Sequence, residues 1–109
     1  MLSNYVLGVP LKTLSNFIVG KYAMLGLARP LSSEYSDKNI QINSISPSMI
    51  ETKFLNSINE KFVEIAAHNH PLKRNAKICD VIPIIKMQIS KESYYINGVN
   101  LPITDGSIY

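Results

Sequence analysis

Between Phe17 and about Tyr35 the apolar positions do not keep to one stripe. Ile18, Tyr22 and Leu25 fall on one side of a helix, and Met24, Leu27, Ala28 and Leu31 fall on another. A helix that is apolar all round has to be buried all round. One side can pack on the chain's own sheet, and the other needs a second layer or a partner subunit. Residues 1–15 read as loop, punctuated by Gly8 and Pro10, with Ser15 or Asn16 placed to cap the helix. Pro30 cannot donate to the carbonyl of Gly26, which predicts a kink there. "SDKN" (36–39) then breaks the helix.

In "NIQINSIS" (39–46) Ile40 and Ile42 alternate with Gln41 and Asn43, which predicts a strand ended by Pro47. "ETKFLNSINEKFVEIAAHNH" (51–70) is expected to be helical in two short pieces, with Asn59 as a cap before Phe62, Val63 and Ala66, and Pro71 as the stop. A further helix is expected from Asp80 as N-cap, carrying Ile78, Val81, Ile82, Ile85 and Ile89 at helical spacing. Pro83 would lie in its first turn. An Asn97-Gly98 turn leads into a short strand ending near Ile103. Helix, strand, helices, strand is a strand–crossover–strand unit, and such a unit pairs its strands in parallel. Two parallel strands make a poor sheet alone, because parallel sheets are buried on both faces within larger arrays.

Length and composition narrow the function classes. At 109 residues the chain is one domain at most. Its 46% apolar and 17% charged content is that of a globular chain. The net charge of +3 is scattered, with no basic block interleaved with aromatics, so nucleic acid is not an expected partner. Cys79 is the single cysteine and no internal disulfide can form, which fits a reducing compartment. No apolar run is long enough to span a bilayer, and Met1-Leu2-Ser3-Asn4 has no signal-peptide pattern, so a cytoplasmic location is expected.

Lys21 is the most informative candidate, an ammonium inside an apolar run. It reads either as a lysine whose stem lines the core while its head finds water, or as a cleft lysine holding a ligand hydroxyl. His68 and His70, at i and i+2, share no helix face and have no acidic or cysteine cluster near them in sequence. They read as surface residues, and no metal is expected. Glu51 and Glu64 have no partner at a telling spacing. No GxGxxG or GxxxxGK[ST] turn occurs in these residues.

"KYAMLGLARPLSSEYSDKNIQINSISPSMIETKF" closely resembles the C-terminal half of the short-chain dehydrogenase/reductase family. The family's Tyr-x-x-x-Lys corresponds to Phe17–Lys21, followed by Arg29 and Glu34. Its Asn-x-(Ile/Val)-x-Pro-Gly-x-(Ile/Val)-x-Thr corresponds to Asn43–Thr52. "PLKRNAKICDVIPIIKMQIS" and "SYYINGVNLPITDG" are similar to the family's "PLxR…DV" helix and its last strand. The resemblance covers nearly all 109 residues in the family's order. It implies the C-terminal part of a Rossmann-like, doubly wound parallel α/β sheet, a single partial domain over 1–109. It also implies NAD or NADP as cofactor, cofactor contacts at Lys21, Pro47, Ile50 and Thr52, and a mobile substrate loop after Thr52. Helix 17–35 would pair with a second copy or with an intact homologue.

The resemblance also exposes departures. In the family a tyrosine passes a proton to or from the substrate oxygen while a nicotinamide carries the hydride. The lysine one turn on lowers the phenol's pKa and holds the cofactor ribose. Here the tyrosine position holds Phe17 and the family's serine position holds Asn4, with Ser3 one residue off. Phenylalanine has no exchangeable proton. Tyr22 lies about 140° further round the helix, and Tyr5 sits on a loop. Pro47-Ser48 stands where Pro-Gly is usual, which puts a Cβ at a position where the family has none. The family's phosphate-binding glycine turn belongs to the half that these residues do not match. Three hypotheses follow: an oxidoreductase inactive as this chain alone, a non-catalytic assembly or regulatory partner of an intact homologue, or a truncated gene product.

Overall fold

The computed structural model describes residues 1–3 and 14–107; the expectations placed on Asn4, Tyr5, Gly8 and Pro10 lie outside them. Helix α1 spans Ser15–Glu34, strand β1 Ser44–Pro47, helix α2 Glu60–Asn69, helix α3 Ile78–Ile89 and strand β2 Asn100–Ile103. Single 3-10 turns lie at Ser36–Lys38, Lys53–Ser57 and Lys91–Ser93. The strands pair in parallel, Ser44 opposite Asn100 through Pro47 opposite Ile103. That is the strand–crossover–strand unit expected from the pattern.

Several boundaries differ from expectation, each for a local reason. The N-cap of α1 is Leu14, with no side-chain cap bond, so Ser15 is helical and neither it nor Asn16 caps. Pro30 lies inside α1, which continues to Glu34 before Asn39 turns left-handed (φ 58°). β1 begins at Ser44 rather than Asn39, because side-chain amides take main-chain groups that a ladder would use, although the Ile42 carbonyl still accepts from the Gly98 N–H (3.1 Å). Ile42 N–H donates to Asn97 Oδ1 (2.9 Å), and Asn43 Nδ2 donates to the Ile96 carbonyl (2.9 Å). Pro47 is the last residue of the strand. Asn59 caps α2 as expected, accepting from the Lys61 N–H at 3.0 Å. Asp80 is not the cap of α3 but its third residue, reaching back to the Lys77 N–H (2.7 Å). Pro83 consequently sits in the second turn, where it leaves the carbonyl four residues earlier, on Cys79, without its helical donor.

Ser44 N–H donates to the Val99 carbonyl (2.8 Å) and Ser48 N–H to the Ile103 carbonyl (3.0 Å). The odd-numbered residues of β2 therefore turn their main chain towards β1, and Pro102, with no N–H, faces outward. On the other side of β1, Leu2 N–H donates to the Ile45 carbonyl (2.7 Å).

The buried apolar residues among those described are Leu2, Ile18, Ile45 and Val81. Around this small core the helices leave their apolar faces open, contrary to the all-round burial expected of α1. Phe17, Val19, Tyr22, Met24 and Leu27 of α1 are exposed, and so are Ile78, Ile82, Ile85 and Ile89 of α3. The radius of gyration, 15.0 Å, exceeds the about 13 Å of a compact domain of this length.

One contact locks α1 to the sheet. Gly98 (φ +74°) brings its backbone so near the helix that a Cβ would lie 2.9 Å from Ser32 Oγ. Beside it, Asn97 Nδ2 donates to the Ser32 carbonyl (2.9 Å). Gly98→Ala combines a disfavoured φ with a clash and is expected to cost about 1–3 kcal/mol. A urea midpoint unchanged from the parent chain would contradict this.

Candidate active site

In open parallel sheets, ligands sit beyond the carboxyl ends of the strands. Here β1 delivers Pro47, which is buried, to that end, followed by Ile50, half-buried, and Thr52, exposed. Ser48 is buried, and its φ is not positive, so its Cβ imposes no left-handed strain. Ile50 forms a parallel bridge with Ala76, with Ala76 N–H donating to the Met49 carbonyl (3.0 Å) and Glu51 N–H to the Ala76 carbonyl (2.8 Å).

Helix α1 brings Lys21 and Phe17 together, one turn apart on one face. Lys21 Nζ lies 5.4 Å from the Phe17 ring centroid, a cation–π distance, and donates to the Met1 carbonyl (3.3 Å). Lys21 is half-buried while Phe17 is 44% exposed. The contacts of the lysine head are the Phe17 ring and the Met1 carbonyl, next to Leu2, which bonds to Ile45 of β1. Tyr22 is exposed on α1. The ring beside the ammonium carries no hydroxyl and so has no proton of its own to exchange. Ile50 and Thr52 form a second group, held through Ala76 and not through the lysine.

The histidines divide. His68 is exposed as expected, but His70 is buried, 6% exposed, because the turn after α2 folds it inward. Its Nδ1 has no hydrogen-bond partner among the described residues, and neither has Asn75 Oδ1 or Asn100 Nδ2. No group of three or more metal-ligating side chains occurs among the described residues.

Spacing alone also missed the ion pair of Arg74 with Asp80, bidentate at 2.7 and 3.1 Å. The hydrogen bonds from Arg74 and then from the Lys77 N–H hold the Asp80 carboxyl down at about 2, and Asp80 in turn raises Arg74. A carboxyl depressed in the fold supports it above the ordinary carboxylate pKa of about 4. That support is lost as pH falls through the folded value. The motif "PLKRNAKICD" held both residues, but a six-residue separation across a turn matches no local pairing rule.

A parallel strand pair, with β1 buried and β2 half-buried, and the crossover helices between them are the C-terminal part of a Rossmann-type fold. The family model described as Enoyl-(Acyl carrier protein) reductase matches residues 3–107. The chain belongs to the short-chain dehydrogenase/reductase family.

It is 30% identical over 94 residues to 3-oxoacyl-[acyl-carrier-protein] reductase FabG of Thermotoga maritima, covering 86% of this chain and 38% of that protein. It is 31% identical over 96 residues to the human mitochondrial dehydrogenase/reductase SDR family member 2, covering 86% and 34%. In fold it is similar to a short-chain type dehydrogenase/reductase from Mycobacterium ulcerans, with a TM-score of 0.87 and 21% identity. That match covers 97% of this chain and 39% of the other. The chain thus spans little more than a third of the length of the curated relatives it matches. None of the described helices is long and apolar enough to cross a membrane.

Proposed function

We propose that this chain is a C-terminal short-chain dehydrogenase/reductase unit that does not run the family's hydroxyl–carbonyl oxidoreduction by itself. The observation that carries this is Phe17, whose ring takes up the place beside the Lys21 ammonium that a proton donor would fill. General acid catalysis contributes about 10²- to 10⁴-fold in rate, and a phenyl ring contributes none of it. If Asn4 stands at the serine position, its amide can still donate to a carbonyl oxygen, but it cannot replace the missing acid.

The residues present fit one wall of a nicotinamide nucleotide site and not the whole of it. Lys21 offers an ammonium to ribose hydroxyls, Thr52 a hydroxyl, and Pro47 and Ile50 apolar contact. The 109 residues contain no glycine-rich turn to take the phosphates. NAD or NADP is therefore a ligand of an assembly that includes this unit rather than of the unit alone. Relatives named for 3-oxoacyl-[acyl-carrier-protein] and acetoacetyl-CoA point to a 3-oxoacyl thioester as the carbonyl such an assembly would meet.

A second role, as a non-catalytic assembly or regulatory partner of an intact homologue, is favoured by the open apolar face of α1. Titration of NADH and NADPH with the 109-residue chain, read by nucleotide fluorescence, is expected to show no binding at micromolar concentration. Phe17→Tyr in the same chain should bring no turnover. Micromolar quenching of either nucleotide would overturn the proposal.

A further inference from the structure

The connector between α2 and α3 touches three other parts of the molecule. Leu72 N–H donates to Asp105 Oδ2 (2.7 Å), just beyond the end of β2. Asn75, 1% exposed, donates from Nδ2 to the Val63 carbonyl of α2 (3.0 Å). Ala76 holds the segment after β1 through its bonds with Met49 and Glu51. Arg74 and Asp80 close the turn around these two residues, and Arg74 Nη1 also donates to the Asn75 carbonyl (3.0 Å).

We propose that Arg74 and Asp80 are a positioning pair for Ile50–Thr52. They fix the Asn75–Ala76 stretch, which holds α2 on one side and the segment after β1 on the other, so that the two are ordered together. An ion pair this open to solvent is commonly worth little. Here its two oxygens are both engaged, one of them also by the Lys77 N–H. The guanidinium's further bond to a main-chain carbonyl gives the pair a mechanical connection to the segment it orders. For a protein of this family the consequence is a link between the substrate side, α2, and the nucleotide side, Ile50–Thr52. That meaning rests on the functional reading above, whereas the coupling itself can be measured with no nucleotide present.

Amide hydrogen exchange on the full chain tests it, comparing Glu51 and Ala76 with Ser44 and Ser48 in the β1–β2 ladder. Asp80→Asn keeps an acceptor for the Lys77 N–H but removes the charge, and Arg74→Ala removes the guanidinium but keeps the bond from the Lys77 N–H to Asp80. Both are expected to lower protection at Glu51 and Ala76 by roughly threefold to tenfold, with Ser44 and Ser48 unchanged. Arg74→Lys should retain part of the protection. In the parent chain, protection at Glu51 should also fall as pH drops from about 4 towards about 2, and Arg74→Ala should remove that dependence. An effect of Asp80→Asn without one of Arg74→Ala would assign the role to the helix cap and overturn the pair. Equal loss at all four amides, or free-peptide exchange at Glu51 and Ala76 in the parent chain, would overturn it as well.

Discussion

Joined to the nucleotide-binding half of a catalytic relative, this chain is expected to reduce a carbonyl substrate barely above background. Phe17→Tyr should then raise kcat by about 10²- to 10⁴-fold. Lys21 Nζ already lies 5.4 Å from the centre of the ring that would carry the hydroxyl. An ammonium there favours the phenolate and draws the phenol's pKa down from about 10. The same substitution in the isolated chain is expected to change nothing, because these 109 residues contain no glycine-rich turn to take the phosphates of a hydride-donating nucleotide. Steady-state oxidation of NADPH by the joined protein, with and without Phe17→Tyr, measures the effect. Adding Lys21→Met to the Phe17→Tyr form should move the acidic limb of the alcohol-oxidation pH profile upward, since the phenol loses its cationic neighbour and ionises only at higher pH. Equal rates for the parent and Phe17→Tyr forms would show that position 17 does not govern proton transfer.

The second large effect concerns α1. The 109-residue chain is expected to self-associate through this helix, whose Phe17, Val19, Tyr22, Met24 and Leu27 stand open to solvent. Burying a leucine is worth about 1.5–3 kcal/mol, and leaving an unpaired carboxylate in an apolar interface costs more than that saves. Leu27→Glu should therefore weaken association by about 100-fold or more, because each 1.4 kcal/mol is tenfold. Ile89→Glu, at an 81% exposed position on α3, should leave it nearly unchanged. Sedimentation or light scattering reads both. A clean monomer at high concentration for the parent chain would remove α1 as an interface, and a larger effect at Ile89 would move the interface to α3.

How far the sequence carried differs from element to element. The helix from Phe17, the Asn59 cap, the Asn97-Gly98 turn and the parallel pairing were legible, because each rests on periodicity or on one residue's local chemistry. The start of β1 was not. Ile40 and Ile42 keep a strand's alternation, but Asn97 and Asn43 bond across 55 and 53 residues and take the main-chain groups that a ladder would use. Asp80 looked like a cap since an acid before an apolar run usually is one, whereas the helix starts two residues earlier and uses it at its third position. His70 is buried by a turn that helical spacing does not describe. At the candidate site, Phe17 and Lys21 were legible as a pair at i and i+4. The Arg74–Asp80 clasp depends on the connector's path, which no short pattern encodes. The apolarity of α1 was legible too, but the burial it demands needs surfaces that these 109 residues do not supply.

Pro102 has a consequence for how this chain would misassemble. A short sheet with exposed apolar helices would ordinarily be a template for cross-β growth, adding strands at both edges. One edge here lacks the donor that growth needs, and on the other Leu2 already occupies the Ile45 carbonyl. Misassembly of this chain is therefore expected to run through the exposed apolar faces of its helices rather than through strand addition into fibres.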